Sequence, residues 1–542
     1  MSLLSTDSKP SPTVRGLRGF LHNPRPDALS GFFIFLIALP LSVGISLASG
    51  APPLAGVITA ICGGVVASLL GSAELTIKGP AAGMIVIVLG AIQELQLGDP
   101  DPLAGYRRAL AVGVVAALVQ IAFSRMRVGR FAAVFPPSAV HGMMAAIGVI
   151  ICAKQIHLLV GVKPTGKEPL ALLAEVPASL AHLDLPIALL GAASLAVLLL
   201  WPKLPFPALR ALPAPLFVIG AAIAAGSALN LAEPHVEVWG GASYEVGPQH
   251  LVRLGSTLLG AITFPDFSHI LDAGSLRYIV LYALIGTLES VLSARAVEGL
   301  DPARERYDMD RDLLATGLAN LVAACLGGLP MISEIVRSSA NVSYGARTRG
   351  SNLMHGLYLL AFVAFLPSIL EQIPMAALAA MLVATGLRLA SPVEFRKVFQ
   401  IGWDEGAVFV TTLALTLGED LLVGVGAGFL LSFLLGAARS VSLFRTGITA
   451  ASDNGRVTLA LHGPLLFTNL LDLERRVDEA LAGGATALVL DLSAAALIDH
   501  TAMEALRRLQ HELAVPMEIT GLQDLRTVSG HPAATHFRGK AS

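Results

Sequence analysis

Charge is scarce in this chain. Only 14% of its 542 residues are Asp, Glu, Lys or Arg, while 54% are hydrophobic and the mean hydropathy is +0.70. Soluble proteins carry about a quarter charged residues, so an ordinary globular core is excluded as the destination of this much apolar sequence, and lipid is the solvent that accepts it. The three cysteines, Cys62, Cys152 and Cys325, fall in apolar runs. That excludes a disulfide framework or a zinc-binding spacing and leaves small hydrophobic packing. Neither sign of charge dominates, with 37 Lys and Arg against 39 Asp and Glu, so no nucleic-acid partner is expected. No Ser/His/Asp or metal-ligating constellation stands out, so neither an enzyme nor a metal or other cofactor is expected. The basic start, with Lys9, Arg15, Arg18 and Arg25, lacks the apolar core and cleavage site of a secretory signal. Residues 1–27 read as a cytoplasmic tail.

Long hydrophobic runs fill residues 28–445. A bilayer crossing takes roughly 17 to 25 apolar helical residues, and this region offers about fourteen such stretches. They lie near 30–49, 54–72, 78–97, 107–124, 133–153, 185–201, 213–231 and 275–298, then 312–329, 333–346, 352–370, 374–390, 404–418 and 420–443. Alternate connections carry most of the basic charge: Arg125, Arg127 and Arg130; Arg304, Arg306 and Arg311; Arg347 and Arg349; Arg396 and Lys397. Lys154, Lys163 and Lys167 are exceptions. The bias places both termini in the cytoplasm of a multi-pass protein of the inner membrane. After Arg445 the texture changes. Apolar strands at Val457–Leu461, Ala487–Leu492 and Val515–Thr520 alternate with amphipathic helices at Leu470–Leu481 and Ala502–Leu513. Residues 446–542 therefore read as a small cytoplasmic α/β domain with a mainly parallel sheet and a tail.

Three intramembrane segments are irregular: Ile37–Gly44 around Pro40 and Ser42, Thr76–Gly83 with Gly79 and Pro80, and Gly327–Ser339 with Pro330 and Ser333. In the second and third, a Gly/Pro turn launches a short helix whose unpaired amides suit an anion. Irregular backbone at membrane depth belongs in protein-lined cavities, and two matching breaks point to a midplane site between inverted repeats. The alternative is that proline only kinks these helices.

Ionisable residues inside spans are functional candidates. Glu289, with Ser293 one turn later on the same face, can bind and release a coupling proton, or it forms a structural hydrogen bond to a neighbouring helix. Glu334 and Arg337 share a helix face; Arg337 either supplies charge to a sulfate, bicarbonate or carboxylate group or neutralises Glu334 or Glu289. Lys78, near a helix end, is expected to snorkel to the interface. Gly424, Gly426 and Gly428 suit close helix packing better than phosphate binding, and His141 reads as structural.

These motifs resemble the SulP anion transporter family, over nearly the whole chain. The landmarks are Ala38-Leu-Pro40-Leu, Gly79-Pro80-Ala-Ala, Leu288-Glu289-Ser-Val-Leu-Ser293, Gly327-Gly-Leu-Pro330 running on to Arg337-Ser-Ser-Ala-Asn341, and Gly345-Ala-Arg-Thr348. The tail resembles the family's STAS domain, with Ile498-Asp499-His500-Thr501 at the turn that carries a phosphorylatable Ser in anti-sigma antagonists. His500 and Thr501 there argue against phosphoregulation of that kind. The resemblance implies seven-plus-seven inverted repeats with a uracil-transporter-like core and gate, dimerisation through the gate, and an elevator-like displacement of the core. It also implies substrate between the starts near Ala81, Ala82 and Gly83 and near Ser333, Glu334 and Ile335, with Pro40 and Ser42 contributed by the first span.

The expected function is secondary active transport of sulfate, bicarbonate, a dicarboxylate or an organosulfate, coupled to protons through Glu289. An uncoupled exchanger or channel and a sodium-coupled bicarbonate transporter are the alternatives. Glu334 is unusual for an anion site and raises a zwitterionic ligand such as choline sulfate. Other expected partners are membrane lipid, a second copy of the chain, and a cytoplasmic protein docked on the STAS domain.

Overall fold

The structure is a computed structural model that describes residues 16–538, apart from 129–135, 167–168, 207–211, 240, 254–256, 299, 303–306, 420, 440–446, 454, 467–468 and 514. Lys9, Arg15, Arg130, Lys167, Arg304, Arg306 and the boundary expected near Arg445 lie outside the described residues.

The membrane part is helical. Among the described residues, six helices are long and apolar enough to cross a bilayer: Arg25–Ala48, Ala104–Arg125, Pro137–Leu159, Leu185–Lys203, Ala273–Glu298 and Met375–Ile401. Shorter apolar helices accompany them, among them Ala55–Leu70, Ala82–Glu94, Ala214–Ala228, Gly350–Phe365 and Val423–Gly436. Several are short for the reason their sequences suggest. The expected span 78–97 begins as a strand, β1 (Lys78–Pro80), before its helix starts, and the expected span 333–346 begins with β4 (Met331–Ser333) before the helix Ile335–Ser343. Proline and glycine deny these segments a continuous helical ladder. Between them in the chain, β2 (His235–Trp239) and β3 (Ala242–Val246) form a separate antiparallel hairpin.

Chain entry into the helices follows local chemistry. Pro26 and Pro137 stand at helix starts, where the missing amide costs nothing. Asp308 and Asp184 cap Met309–Cys325 and Leu185–Leu200 by accepting from Arg311 N and Ile187 N. Close packing depends on small residues. A Cβ on Gly64 would stand 2.6 Å from the Gly356 Cα, so the helices carrying them touch backbone to backbone.

The helices fall into two packed groups. Ala104–Arg125 packs on Met309–Cys325 and Ala273–Glu298, and Arg25–Ala48 packs on Gly350–Phe365. In the other group, Pro137–Leu159 packs on Met375–Leu389 and Trp403–Gly418, which in turn contacts Leu421–Arg439. The tail forms a six-stranded sheet from β5 (Gly447–Asp453), β6 (Arg456–Leu465), β7 (Ala487–Ile498), β8 (Met517–Thr520), β9 (Arg526–Thr527) and β10 (His536–Phe537). The pairs β6–β7 and β7–β8 are parallel, while β5 and β10 run antiparallel to their neighbours. Helices Leu470–Ala482 and His500–Glu512 bury Leu473, Val477, Ala502 and Leu506 against the sheet. The alternating strands and helices expected after residue 446 are observed among the described residues, with β7 running on to Ile498. The sheet, however, is mixed and not mainly parallel, because β5 pairs antiparallel with β6, and β10 with β7 and β9.

Candidate functional site

The two Gly/Pro breaks, some 250 positions apart in sequence, meet in space. β1 and β4 pair antiparallel with Lys78 opposite Ser333, Gly79 opposite Ile332 and Pro80 opposite Met331. Side chains from neighbouring helices satisfy the backbone that the breaks leave free. Asn320 accepts from Met331 N at 2.7 Å and donates to Met331 O at 3.1 Å. Thr59 does the same for Leu329, accepting at 2.6 Å and donating at 3.0 Å. Asn352 accepts from Lys78 N, and Ser338 Oγ from Ile77 N. Tyr106 OH donates to Gly327 O. Such bonds are required where irregular backbone lies at membrane depth.

Behind the strand pair sits an ion pair. Lys78 Nζ lies 2.7 Å from Asp312 Oδ2, donates also to Ser333 Oγ, and is fully buried. This corrects the expectation that Lys78 snorkels: its stem points inward because the acid that holds it is on another helix, and Ser290 closes the network at 3.2 Å from Ser333.

In front of the strand pair a cavity of about 430 Å³ opens between the two helix groups. Six expected site residues line it: Ala82, Gly83, Glu289, Ser293, Glu334 and Ile335. The others do not. Pro40 and Ser42 are buried in the first long helix, Gly79, Pro80 and Ser333 in the strand pair, and Ala81 beside it. Arg337 is 1% exposed and lies behind its own helix start, its guanidinium packed over Gly79. It is not among the residues that line the cavity. A Cβ on Gly79 would run into Arg337 Nη1 and stand 4.0 Å from Glu334 Cγ.

Two carboxylates crowd the first helix start. A Cβ on Gly83 would collide with Glu289 Oε1 and stand 2.6 Å from Oε2, so only glycine leaves room for that acid. Glu334 reaches the backbone amide of Ala82 across the strand pair. Among the described residues, Glu289 Oε2, Glu334 Oε1, Arg337 Nε and Nη1, Ser42 Oγ and both ring nitrogens of His355 are buried without a hydrogen-bond partner.

Sequence reading missed part of the wall. His141, read as structural, lines the cavity, as do Thr385 and Leu389. So do Thr501, Glu504 and Ala505 from helix His500–Glu512 of the tail domain. The tail is held to the membrane part by Ser529 Oγ, which donates to Ile401 O at 2.6 Å. The amphipathic pattern of 502–513 gives no hint of this, because its apolar face is already used by the sheet.

Residues 25–412 match the sulfate permease family and residues 448–524 match the STAS domain. A putative sulfate transporter of Bacillus subtilis is 24% identical, the match covering 90% of this chain and 89% of that protein. The bicarbonate transporter BicA of a Picosynechococcus strain is also 24% identical, over 87% and 83%. Among solved structures, the transmembrane domain of a cyanobacterial bicarbonate transporter BicA superposes with a TM-score of 0.62 at 21% identity, covering 75% of this chain and 98% of that one. Murine solute carrier 26 family member A9, an anion transporter in its inward-facing state, gives 0.64 at 17%, over 91% and 85%. The chain belongs to the sulfate permease family of multi-pass membrane anion transporters and ends in a STAS domain.

Proposed function

We propose that the chain is a secondary active transporter that binds a small anion where the two broken helices begin, and couples its movement to a proton on Glu289. The observation that carries this reading is the common cavity shared by Ala82 and Gly83 of one helix start, Ile335 and Val336 of the other, and Glu289. Helix starts leave amides without intrahelical acceptors, and their dipoles favour negative charge. Glu289 is 8% exposed, so it meets the cavity without being bathed by it, as a proton site beside an anion should.

The wider architecture belongs to the same reading. About fourteen spans form two inverted repeats, since broken helices in both halves are the mark of such transporters. Two copies associate in the inner membrane with both termini cytoplasmic. The helix group carrying β1, β4 and Glu289 slides as one body against the group carrying His141 and Thr385. The buried network from Lys78 to Ser290 supports this by locking the first group together. The STAS helix at the cavity wall stands on the cytoplasmic side and offers a docking surface for a regulatory protein.

The test is uptake into proteoliposomes of labelled sulfate, bicarbonate, a dicarboxylate and choline sulfate. Ile335→Trp, which fills the cavity beside the second helix start, should abolish uptake of whichever anion the native protein accepts. Undiminished uptake in that variant would place the pathway elsewhere. Steady current without accumulation would favour a channel, and dependence on sodium a sodium-coupled bicarbonate transporter. A preference for choline sulfate over sulfate that vanishes in Glu334→Gln would favour a zwitterionic substrate.

A further inference from the structure

We infer that Glu334 is a tethered anion that occupies the first helix start and must leave it before a substrate anion can bind. The inference rests on the anion-site reading of the cavity given under the proposed function.

The amides of Ala82 and Gly83 open the turn Ala82–Met84, and helix geometry provides them no acceptor. The group that reaches the first of them is the protein's own. Glu334 directs its carboxylate to the Ala82 amide, a favourable placement for negative charge at a helix start. A substrate anion entering the cavity would compete for the same donors and be repelled by the carboxylate already there.

The displaced carboxylate has somewhere to go. Arg337 stands one helical turn on, with Nε and Nη1 both buried and unpartnered. Leaving two buried guanidinium nitrogens without partners is costly, and a carboxylate is the partner their forked geometry fits. Glu334 Cγ and Arg337 Nη1 already approach the same point above Gly79. The backbone need not move, because Glu334 N is fixed to Ile77 O at 2.8 Å while its side chain rotates. Substrate arrival at the Ala82 and Gly83 amides and pairing of Glu334 with Arg337 are thus two halves of one exchange. Until it happens, the competent fraction of the site is small, and the apparent affinity is reduced by that fraction.

The charges around Glu334 agree with this exchange. Arg337 faces it from its own helix, and Glu289 shares the cavity wall from helix Ala273–Glu298. Lys78, behind the strand pair, is neutralised by Asp312, and His355 faces Arg337 from helix Gly350–Phe365. At the far end of the cavity His141, Arg295 and Glu504 line the wall.

The experiment is equilibrium binding of labelled sulfate to purified full-length protein at pH 8 and pH 6, for the native chain and Glu334→Gln, with choline sulfate as a second probe. Sulfate stays fully ionised over this range, so any pH effect belongs to the protein. Glu334→Gln should bind sulfate at least about tenfold more tightly at pH 8. The native protein should tighten toward that value at pH 6. Unchanged or weaker sulfate binding by Glu334→Gln would overturn the inference. So would weakened choline sulfate binding with sulfate unaltered, which would make Glu334 a recognition group for a cation. If Glu334→Gln does not purify as a folded protein, Arg337→Lys decides: it should weaken sulfate binding at pH 8 and recover at pH 6, and equal weakening at both would overturn the inference. Absence of binding by every protein with both probes would instead remove the anion-site reading itself.

Discussion

Lys78 and Asp312 are ion-paired at 2.7 Å, with side chains 0% and 2% exposed, and they join the first broken segment to helix Met309–Cys325. A pair so deeply buried is worth little over a well-packed apolar pair, but breaking it leaves a lone charge in a dry interior. Lys78→Met alone should therefore cost roughly 3–5 kcal/mol of stability, and Lys78→Met with Asp312→Leu much less. Thermal unfolding in detergent checks this. Equal losses in the single and double variants would show that the pair has no such role.

Gly83→Ala tests the fit of Glu289 against the first helix start. The new methyl would drive the carboxylate away from the position it holds. Uptake should fall by at least about tenfold while yield and melting temperature stay near native, since a displacement of about 1 Å at a reacting centre has effects of this order. Proteoliposome uptake beside a thermal melt separates the two readouts.

Thr59 does not line the cavity, yet its hydroxyl accepts from Leu329 N and shares its one proton between Leu329 O and Ala55 O. Thr59→Val keeps the shape and orphans both backbone groups. The expected cost is about 2 kcal/mol, from two buried groups that lose their partner, and the turn before β4 should loosen. Hydrogen exchange should rise at 327–331 before it rises elsewhere in the helix group.

In the STAS domain, burial holds the His536 imidazole below its usual range, while its Nδ1 pairs with Ala534 O at 2.7 Å. A histidine whose folded value is depressed contributes stability that is complete above the unfolded value, about 6.5. That stability is lost as pH falls toward the folded value. The domain should therefore melt progressively lower as pH drops from about 7 to 5, and His536→Gln should flatten that slope. Melting followed against pH in both proteins measures it.

How much of this was legible depends on the range of the signal. The breaks at Gly79-Pro80 and Gly327–Pro330 were visible because glycine and proline act locally, and so were the strands and helices after residue 446. Glu289 stands out because charge inside an apolar run is conspicuous, and it lines the cavity together with Ser293 one turn on. The pairing of Lys78 with Ser333 was not visible, since nothing near either residue encodes a register between segments so far apart. Lys78 was misread for the same reason, its partner Asp312 being a helix away. Arg337 follows Glu334 by one helical turn, but spacing does not say that Glu334 lines the cavity while Arg337 packs over Gly79. The wall supplied by Thr501 and Glu504 arises from docking of two folded parts, which no local pattern records.

The most direct test of proton-coupled anion transport is accumulation of labelled substrate in proteoliposomes with and without an inward proton gradient, using the native protein and Glu289→Gln. The account predicts uphill accumulation only with the gradient, and its loss in Glu289→Gln while downhill exchange persists. Accumulation that needs no gradient and survives in Glu289→Gln would contradict it and return Glu289 to a structural role.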